Sequence, residues 1–465
     1  MGWAHQSISE GMNKAFFQNK RVVVMGLGQF GGGVDSAAFA ARAGARVLVT
    51  DKAAADQLAS AAEPLAGLPI EYRLGEHRQE DFAAADVVIV NPAVPPEHPL
   101  IRLAKANHAM ITSQVELFFQ MCPAPIVGIS GANGKSTTTS LIAHLLAAGI
   151  GQTNIPYRRV HLSGNIGNRP LLGLLDVLTA EDVVVLEISS FQLEQLARIQ
   201  KAPYAAVITN LTPNHLDRHG TFETYCRIKE TLFRFQPCDP QHPCLSVFNA
   251  EDPITHNWFT TYCGQPGRTC IAFCAEDVPA SLLATFKCPG RANRFNLAAA
   301  LAVASHFGVA PDRVAEAVAT FRPLDSRLQL IAEKNGVRWY DDSKATTPVS
   351  TLAALNGIDE PKILIAGGYD KGIDFSELGR CIAQRVKVVV LIGQTAPKIE
   401  QAIQAAGPSD VLIRRAETMA QAVAECQKAA QPGDVVLLSP ACASYDMFTN
   451  YIQRARAFID AVNAL

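Results

Sequence analysis

Residues Gly128 to Ser140 read GISGANGKSTTTS, and they decide the fold because they join an apolar strand to a helix. The strand is the run PIVGIS, in a region that begins near Pro123, and the helical run SLIAHLLAAG follows. Gly134, Lys135 and Ser136 match the end of the phosphate-loop pattern G-x-x-x-x-G-K-[ST], although that pattern requires glycine where this chain has Ile129. We predict a nucleotide site in which helix N–H groups and Lys135 attract phosphate; a tight turn with an incidental lysine is the alternative.

Polar residues follow two further apolar strands downstream of this loop. Glu187 ends the strand VVVLE, where a carboxylate has no packing role but could ligate Mg²⁺, as could the Ser136 hydroxyl. The strand AAVITNL leads into TPNHLDRHG, which places His215 on the same edge if the strands are parallel. Lys229 is carried by the amphipathic stretch TFETYCRIKETLFRF. A capped loop histidine and a solvated surface lysine are the alternatives for His215 and Lys229.

Two more α/β regions flank the central one. Near the N-terminus, RVVVMGLGQFGGG carries glycines at positions 26, 28 and 31, and Asp51 ends the next strand, which is the spacing of a dinucleotide-binding βαβ unit. From about Leu324 the chain alternates the strands KILIAGG, VKVVVLIG and DVVLLSP with alanine-rich helices. We therefore predict three α/β domains, at 1–118, 119–323 and 324–465, with Rossmann-like folds at both ends and a mostly parallel, P-loop-type sheet in the centre.

Length and composition fit this division. The chain has 465 residues, enough for about three domains of roughly 150 residues. It is 48% hydrophobic, and its 41 basic and 43 acidic residues nearly cancel, so no overall field favours nucleic acid or an anionic membrane. No leader-like or membrane-spanning apolar run is visible, which predicts a cytoplasmic protein. Seven of the eleven cysteines fall between positions 226 and 288 without any C-x-x-C pair, which predicts reduced thiols.

Several separated motifs in fixed order resemble one enzyme family. They are GANGKSTTT, SGNIG, LEISSFQLE, NLTPNHLDRHG, DDSKAT, GGYDKG and SPACASYDMF. Together they resemble the Mur ligases of peptidoglycan synthesis, and within them the branch that adds D-glutamate, over almost the whole chain. The resemblance implies an ATP-dependent amide ligase that makes an acyl phosphate of UDP-N-acetylmuramoyl-L-alanine, attacks it with D-glutamate, and works as a monomer.

The resemblance also implies roles for particular residues. The expected catalytic residues are Lys135, Asn165, His215 and Lys229, and those expected to bind two Mg²⁺ ions are Ser136, Glu187, His215 and Lys229, the last as a carbamylated lysine. The expected ATP-binding residues are Gly131, Ala132, Asn133, Gly134, Lys135, Ser136, Thr137, Asn293, Asn296, Asp342 and Lys344. UDP is expected at Gly28, Gly31, Asp51, Lys52 and Asn91, and D-glutamate at Thr346, Lys371 and Ser444.

The sequence departs from the usual family pattern at five positions. Alanine stands at 132 where threonine is common, asparagine at 214 for aspartate, alanine at 292 for histidine, threonine at 347 for asparagine, and alanine at 93 for glycine. No expected metal ligand is replaced.

Other functions remain possible from the residues. A related Mur ligase and a folylpolyglutamate synthase-like ligase share the central domain, although the latter lacks the N-terminal one. A nicotinamide-dependent oxidoreductase would explain the first glycine-rich turn, and a P-loop regulatory binding protein would explain Lys135.

Overall fold

The computed structural model describes residues 12–28, 31–166, 170–322 and 324–465. Positions 1–11, which bear on the prediction that no leader is present, and position 167, in the motif SGNIG, lie outside the described residues, as do positions 29 and 30 of the first glycine-rich turn. Three sheets are present in this part of the chain, as the sequence predicted. The domain boundaries predicted above stay predictions.

The first sheet is entirely parallel, with strand order β3-β2-β1-β4-β5. Its strands are β1 (Arg21–Met25), β2 (Arg46–Asp51), β3 (Ile70–Leu74), β4 (Val87–Val90) and β5 (Met110–Thr112). Its helices are α1 (Gly32–Arg42), α2 (Ala55–Ala62), α3 (Gln79–Ala83), α4 (Pro99–Ala106) and α5 (Gln114–Met121).

The second sheet is also parallel, with order β11-β10-β9-β6-β8-β7. Its strands are β6 (Ile126–Ser130), β7 (Arg159–Gly164), β8 (Asp182–Glu187), β9 (Ala205–Ile208), β10 (Cys244–Asn249) and β11 (Arg268–Phe273). The helices between β6 and β12 are α6 (Lys135–Ala148), α7 (Ser190–Arg198), α8 (Leu216–His219), α9 (Phe222–Arg234), α10 (Pro253–Tyr262), α11 (Ala280–Leu283), α12 (Arg291–His306) and α13 (Pro311–Thr320). Strands β6, β8 and β9 are buried at every position, because helices cover both faces of such a sheet.

The third sheet has order β12-β13-β17-β14-β15-β16 and contains one antiparallel pair, β12 with β13, at its edge. Its strands are β12 (Gln329–Lys334), β13 (Val337–Asp341), β14 (Lys362–Gly367), β15 (Val386–Ile392), β16 (Leu412–Arg415) and β17 (Val435–Leu438). Its helices are α14 (Pro348–Gly357), α15 (Ser376–Arg385), α16 (Ala396–Ala405), α17 (Met419–Ala429) and α18 (Tyr451–Asn463). Short 3₁₀ helices at Lys14–Phe17, Glu63–Leu65, Leu172–Asp176 and Ala275–Asp277 complete the described elements.

The chain forms two compact units. The first holds the two parallel sheets, in the described residues up to Asp277 and in Asn296–Ala317; the second holds the third sheet, in Val278–Phe295 and Val318–Leu465. Among the described helices, none combines the length and the apolar character that crossing a bilayer requires.

One buried carboxylate joins the two sheets of the first unit. Asp35 of α1 accepts hydrogen bonds from the N–H groups at positions 171, 172 and 173, at 2.6–3.1 Å, and from the Gln114 side chain at 2.6 Å. It thereby caps the 3₁₀ helix Leu172–Asp176, which lies between β7 and β8. This bond set fixes α1, which starts at the first glycine-rich turn, to the segment that follows Asn165.

Candidate active site

The phosphate loop runs from the end of β6 to the start of α6, and its backbone requires glycine at two positions. Gly131 has φ of +145° and Gly134 has φ of +80°. A Cβ at Gly131 would lie 1.9 Å from Thr209 Oγ1, and one at Gly134 would lie 2.3 Å from Asn296 Oδ1. Neither position therefore tolerates a side chain without rearrangement of the neighbour that packs on the loop.

Gly128 has a different role, which explains the departure from the general phosphate-loop pattern. It lies within β6, and a Cβ there would meet the Pro203 ring at 2.6 Å and Ile188 at 2.9 Å. Ile129 is fully buried and accepts the N–H of Ile188 through its carbonyl. Gly128 thus allows close packing of the strand, and the loop itself begins at Gly131.

Two residues that directly follow β9, and that were not predicted from the sequence, hydrogen-bond to this loop. Thr209 Oγ1 donates to the Asn133 carbonyl at 2.6 Å, and Asn210 Nδ2 donates to the same carbonyl at 3.1 Å. Asn210 also accepts the N–H of Ala132 with its carbonyl and that of Asn133 with Oδ1, each at 2.9 Å. The signal was available in the sequence ITNLTPNH, where polar residues follow an apolar strand. These bonds hold the loop in one conformation.

Glu187 and Asn165 lie at the same edge of the sheet, because they end neighbouring parallel strands. Glu187 is paired in register with Ile129 of β6 and is only 2% exposed. Asn165 donates its side-chain amide to Glu187 Oε1 at 3.1 Å and its backbone N–H to the Glu187 carbonyl at 2.9 Å. Glu187 Oε2 is buried, and no described residue donates a hydrogen bond to it. An unpartnered buried carboxylate oxygen suits a cation.

Lys229 projects from α9 into the interior, so the surface-lysine alternative is wrong. Its side chain is 1% exposed, and Nζ donates to Ser130 Oγ at 3.0 Å, at the residue that ends β6. Nζ also lies 5.0 Å from the centre of the Tyr225 ring. Burial, reinforced by the nearby charge of Lys135 and opposed by Glu187, holds the pKa of Lys229 well below its usual value. The amine therefore reaches the same sheet edge as the phosphate loop.

His215 lies on the loop after β9 and directly precedes α8, in the left-handed conformation with φ of +53°. It is exposed, and its ring centre lies 5.0 Å from that of Phe191, four residues after Glu187. His219, which the sequence analysis did not select, is buried, and its Nε2 lies 3.0 Å from Ser190 Oγ. The structure thus brings both histidines to the segment that follows Glu187.

The side chain of Asp51 accepts backbone hydrogen bonds from the first glycine-rich turn. Asp51 Oδ2 accepts the N–H groups of Leu27 at 2.9 Å and Gly28 at 3.2 Å. Gly28 has φ of +65° and Gly31 has φ of +80°, and a Cβ at Gly28 would lie 3.2 Å from the Asn91 amide. Asp51 and Asn91 therefore shape the turn, whereas Lys52 is exposed beside it.

The second unit places the DDSKAT and SPACAS motifs together through a buried arginine. Arg454 of α18 is 1% exposed and donates to the Ser343 carbonyl at 2.8 Å and the Cys442 carbonyl at 3.0 Å. Asp342 accepts a hydrogen bond from Ser439 Oγ at 2.7 Å, and burial raises the pKa of its carboxyl to about 7. Ser444 follows in the same segment and is buried.

The other predicted residues of this unit are more accessible. Lys344 lies 5.5 Å from the ring centre of Tyr451, Thr346 is half-buried and Lys371 is exposed. Asn293 donates its side-chain amide to the Pro289 carbonyl at 2.7 Å. Asn296, in the first unit, accepts the Thr138 hydroxyl at 3.1 Å beneath the phosphate loop.

Comparison with known proteins identifies the family. Three family models match the chain: Mur ligase MurD-like, N-terminal domain (20–113), Mur ligase middle domain (129–277) and Mur ligase, glutamate ligase domain (326–442). A curated protein of Roseiflexus sp. (strain RS-1), named UDP-N-acetylmuramoylalanine--D-glutamate ligase, is 40% identical, with 94% of this chain and 97% of that protein covered. One of the same name from Symbiobacterium thermophilum is 39% identical, with 91% and 93% covered.

The chain belongs to the Mur ligase family. Solved structures confirm the fold of this Mur ligase. MurC, the UDP-N-acetylmuramate-alanine ligase of Thermotoga maritima, aligns with TM-score 0.59 and 19% identity over 96% of this chain and all of that one. MurF of the same organism, solved in complex with ADP, aligns with TM-score 0.56 and 16% identity over 98% and 96%.

Three of the five departures of this Mur ligase from the usual motifs lie at residues that make local hydrogen bonds. Ala132 is buried, and its carbonyl accepts Lys135 Nζ at 2.8 Å. Asn214 Oδ1 accepts the N–H of His215 at 2.9 Å, as an aspartate oxygen would. Thr347 precedes α14, with its hydroxyl 3.0 Å from that of Ser350.

Proposed function

We propose that this Mur ligase joins D-glutamate to UDP-N-acetylmuramoyl-L-alanine with hydrolysis of ATP, as a step of peptidoglycan precursor synthesis in the cytoplasm. The observation that carries the proposal is that relatives of this name match over 91–97% of the chain, across all three family models. The match to the MurD-like N-terminal model argues against a folylpolyglutamate synthase-like ligase. The same match, over residues 20–113, argues against a nicotinamide-dependent oxidoreductase.

The proposed reaction has two steps. A carboxylate oxygen of the alanine residue attacks the γ-phosphorus of ATP, forming an acyl phosphate as the bond to the β–γ bridging oxygen breaks and ADP leaves. The amine nitrogen of D-glutamate then attacks the acyl carbon, and the carbon–oxygen bond to phosphate breaks as the amine loses its proton. Amide, ADP and phosphate are the products.

Electrostatic stabilisation is the main task of the protein in the first step, because two anions must approach. Residues Gly131 to Thr137 hold the triphosphate at the start of α6, where N–H groups and the helix dipole favour negative charge. Lys135 adds a positive charge there. Asn165, fixed by Glu187, presents its amide where the acyl phosphate forms.

The donor set at this edge fits Mg²⁺. Glu187 offers an unpartnered buried oxygen, and Ser136 lies in the first turn of α6, as in other phosphate loops. When bound, Mg²⁺ supplies positive charge that offsets charge on the transferring phosphoryl group.

Lys229 is proposed to work as a carbamate, with His215 beside a second Mg²⁺. The nitrogen of a lysine amine bonds to carbon dioxide and loses a proton, which turns a cation into an oxygen-donor anion. Three features support this role: Lys229 is fully buried, it contacts a hydroxyl rather than a carboxylate, and it lies at the edge of the sheet beside Ser130. A neutral hydrogen-bond partner leaves the amine accessible to such chemistry.

The remaining substrate contacts are proposed by residue. Asn293 and Asn296 approach the adenine, and Asp342 and Lys344 complete the ATP-binding set. The turn at Gly28 and Gly31, with Asp51, Lys52 and Asn91, holds UDP. Lys371 offers a positive charge to the side-chain carboxylate of D-glutamate, and Thr346 and Ser444 offer hydroxyl groups. The enzyme is proposed to act as a monomer, which light scattering on the purified protein checks.

A substrate matrix tests the proposed function. Purified protein is incubated with ATP, Mg²⁺ and UDP-N-acetylmuramoyl-L-alanine, with D-glutamate, L-glutamate or neither, and the amide product is measured by mass spectrometry. We expect the amide product in the reaction with D-glutamate and in neither of the other two reactions. Product with L-glutamate only, or no product with either, contradicts the proposal. Lys135→Ala, which removes the phosphate-loop charge, serves as the inactive control.

Substitution of Lys229 tests whether this residue works as a carbamate. We expect Lys229→Ala to nearly abolish turnover and to recover partly when formate or acetate is added, since a small carboxylate fills the space of the missing anion. Lys201→Ala, at an exposed lysine, is the matched control and keeps full activity. Full activity of Lys229→Ala without any carboxylate would refute the role.

A further inference from the structure

Two cysteine side chains approach each other in the connector between α9 and β10. Cys238 lies in this connector and is exposed, whereas Cys244 is the first residue of β10 and is buried. Their Sγ atoms are 3.5 Å apart, and both thiols are free. Both belong to the cysteine-rich stretch, for which the ligase reaction has no use.

The backbone holds these two residues in place. Gly267, directly before β11, packs against both: a Cβ there would lie 2.8 Å from the Cys238 carbonyl carbon, and its carbonyl accepts the N–H of Cys244 at 3.0 Å. Between them, the N–H of His242 donates to the Asp239 carbonyl at 3.0 Å, which closes a turn. Prolines at 237, 240 and 243 further restrict the connector. The thiols are therefore neighbours because of fixed backbone contacts.

The separation is small enough for a disulfide to form after a side-chain rotation. A disulfide needs the two sulfur atoms about 2.05 Å apart. Closing the gap from 3.5 Å takes side-chain rotation at Cys238, whose exposed position leaves room for it. The seven-residue ring from Cys238 to Cys244 would then include the existing turn.

We propose that Cys238 and Cys244 form a reversible oxidation site that closes to a disulfide in the presence of a hydroperoxide. In the first step, the sulfur of Cys238 attacks one peroxide oxygen, giving a sulfenic acid and, for hydrogen peroxide, one water. In the second, the sulfur of Cys244 attacks the Cys238 sulfur, and the hydroxyl leaves with the Cys244 proton as a second water. The two thiols lose two electrons, which reduce the peroxide. An added dithiol reverses the reaction by exchange.

The order of the two steps follows from exposure. Cys238 meets solvent, so the peroxide reaches it first. Burial shields Cys244 from solvent and raises the pKa of its thiol to about 12, so the peroxide does not oxidise this sulfur first. Cys270, on the neighbouring strand β11, is a competing thiol, since Ser246 of β10 pairs with it in register.

Peptide mapping of the full-length protein tests the proposal. The protein is treated with a slight excess of hydrogen peroxide, its remaining thiols are blocked with iodoacetamide, and it is digested with a protease that cleaves before aspartate. Cleavage before Asp239 and Asp252 places Cys238, Cys244 and Cys263 on three different peptides. We expect the Cys238 and Cys244 peptides to be linked, two hydrogens lighter than their sum, and to separate with dithiothreitol.

Single variants identify the partners. Cys238→Ser and Cys244→Ser each should remove the linked species, whereas Cys263→Ser, at another exposed cysteine of the stretch, should leave it unchanged. Because Cys238 is exposed, its serine variant keeps the fold. A link from Cys238 to Cys270 or Cys263, oxidation of Cys238 to a sulfinic acid without any link, or no reaction at all would overturn the proposal.

Discussion

Substituting Gly131 by alanine tests whether the phosphate loop is held as described. The new Cβ would lie 1.9 Å from Thr209 Oγ1, and 3.1 Å from both the Thr209 Cβ and its backbone nitrogen. Thr209 cannot turn away at no cost, because its hydroxyl donates to the Asn133 carbonyl at 2.6 Å. The φ of +145° at Gly131 is also one that side chains rarely adopt.

The magnitude follows from these two effects. A residue with a side chain in such a backbone conformation costs about 1–3 kcal/mol. Loss of the hydrogen bond from Thr209 adds about 1 kcal/mol. We therefore expect Gly131→Ala to lower the free energy of unfolding of the first unit by about 3 kcal/mol. Since the displaced loop carries the triphosphate, ATP turnover should fall with it.

The assay is urea unfolding of wild type, Gly131→Ala, Thr209→Ala and the double variant. Thr209→Ala removes the atom that clashes, so the double variant should be about 1 kcal/mol more stable than the sum of the single effects. Gly151→Ala is the matched control: its φ is +88°, but no atom lies within 4 Å of the new Cβ, so only backbone strain remains. If Gly131→Ala is as stable as Gly151→Ala and the two effects in the cycle are additive, Thr209 does not constrain the loop at Gly131.

Three further changes test other parts of the molecule. The pKa of the Asp342 carboxyl is about 3.8 in the unfolded chain, and burial raises it to about 7 in the folded protein. The free energy of unfolding should therefore fall as pH rises between these two values, by about 4 kcal/mol in all. Asp342→Asn should remove this part of the pH dependence in urea unfolding at pH 5 and 8, and an unchanged slope would contradict the assignment. Asp35→Ala leaves three backbone N–H groups without their acceptor and should lower the free energy of unfolding by about 3 kcal/mol. The control Asp56→Ala, at an exposed aspartate, should change it little. Equal urea midpoints for the two variants would show that the Asp35 hydrogen bonds contribute nothing to stability. Lys371→Ala should raise the KM for D-glutamate about ten-fold and that for ATP much less, and equal effects on both would contradict its role.

The arrangement of the site could be predicted where it depends on strand order alone. Apolar strands that end in polar residues predicted that Glu187 would lie at the sheet edge where the phosphate loop begins, because parallel strands end at one edge of a sheet. The three α/β regions were confirmed for the same reason. Asn165 was expected at this edge only from the family resemblance. The antiparallel pair β12 and β13 was not foreseen, since the sequence does not reveal which edge strand reverses.

Contacts that depend on tertiary packing could not be predicted. Helical periodicity left Lys229 either buried or exposed, and only the position of α9 against β6 decides it. In the sequence, Asp35 is an ordinary first-turn residue of α1, yet three of the groups that donate to it lie 136–138 residues further along the chain. Cys238 and Cys244 are close in sequence, but their sulfur atoms meet because Gly267 of a distant segment fixes both backbones.

Isotope transfer from the substrate carboxylate to phosphate tests whether the reaction passes through an acyl phosphate. UDP-N-acetylmuramoyl-L-alanine labelled with ¹⁸O in its carboxylate is incubated with the enzyme, ATP, Mg²⁺ and D-glutamate, and the phosphate released is analysed by mass spectrometry. If the phosphate loop and Glu187 edge transfer the γ-phosphoryl group to that carboxylate, each phosphate carries one ¹⁸O and equals the amide product in amount. Unlabelled phosphate, or labelled phosphate without the D-glutamate amide, would contradict the account.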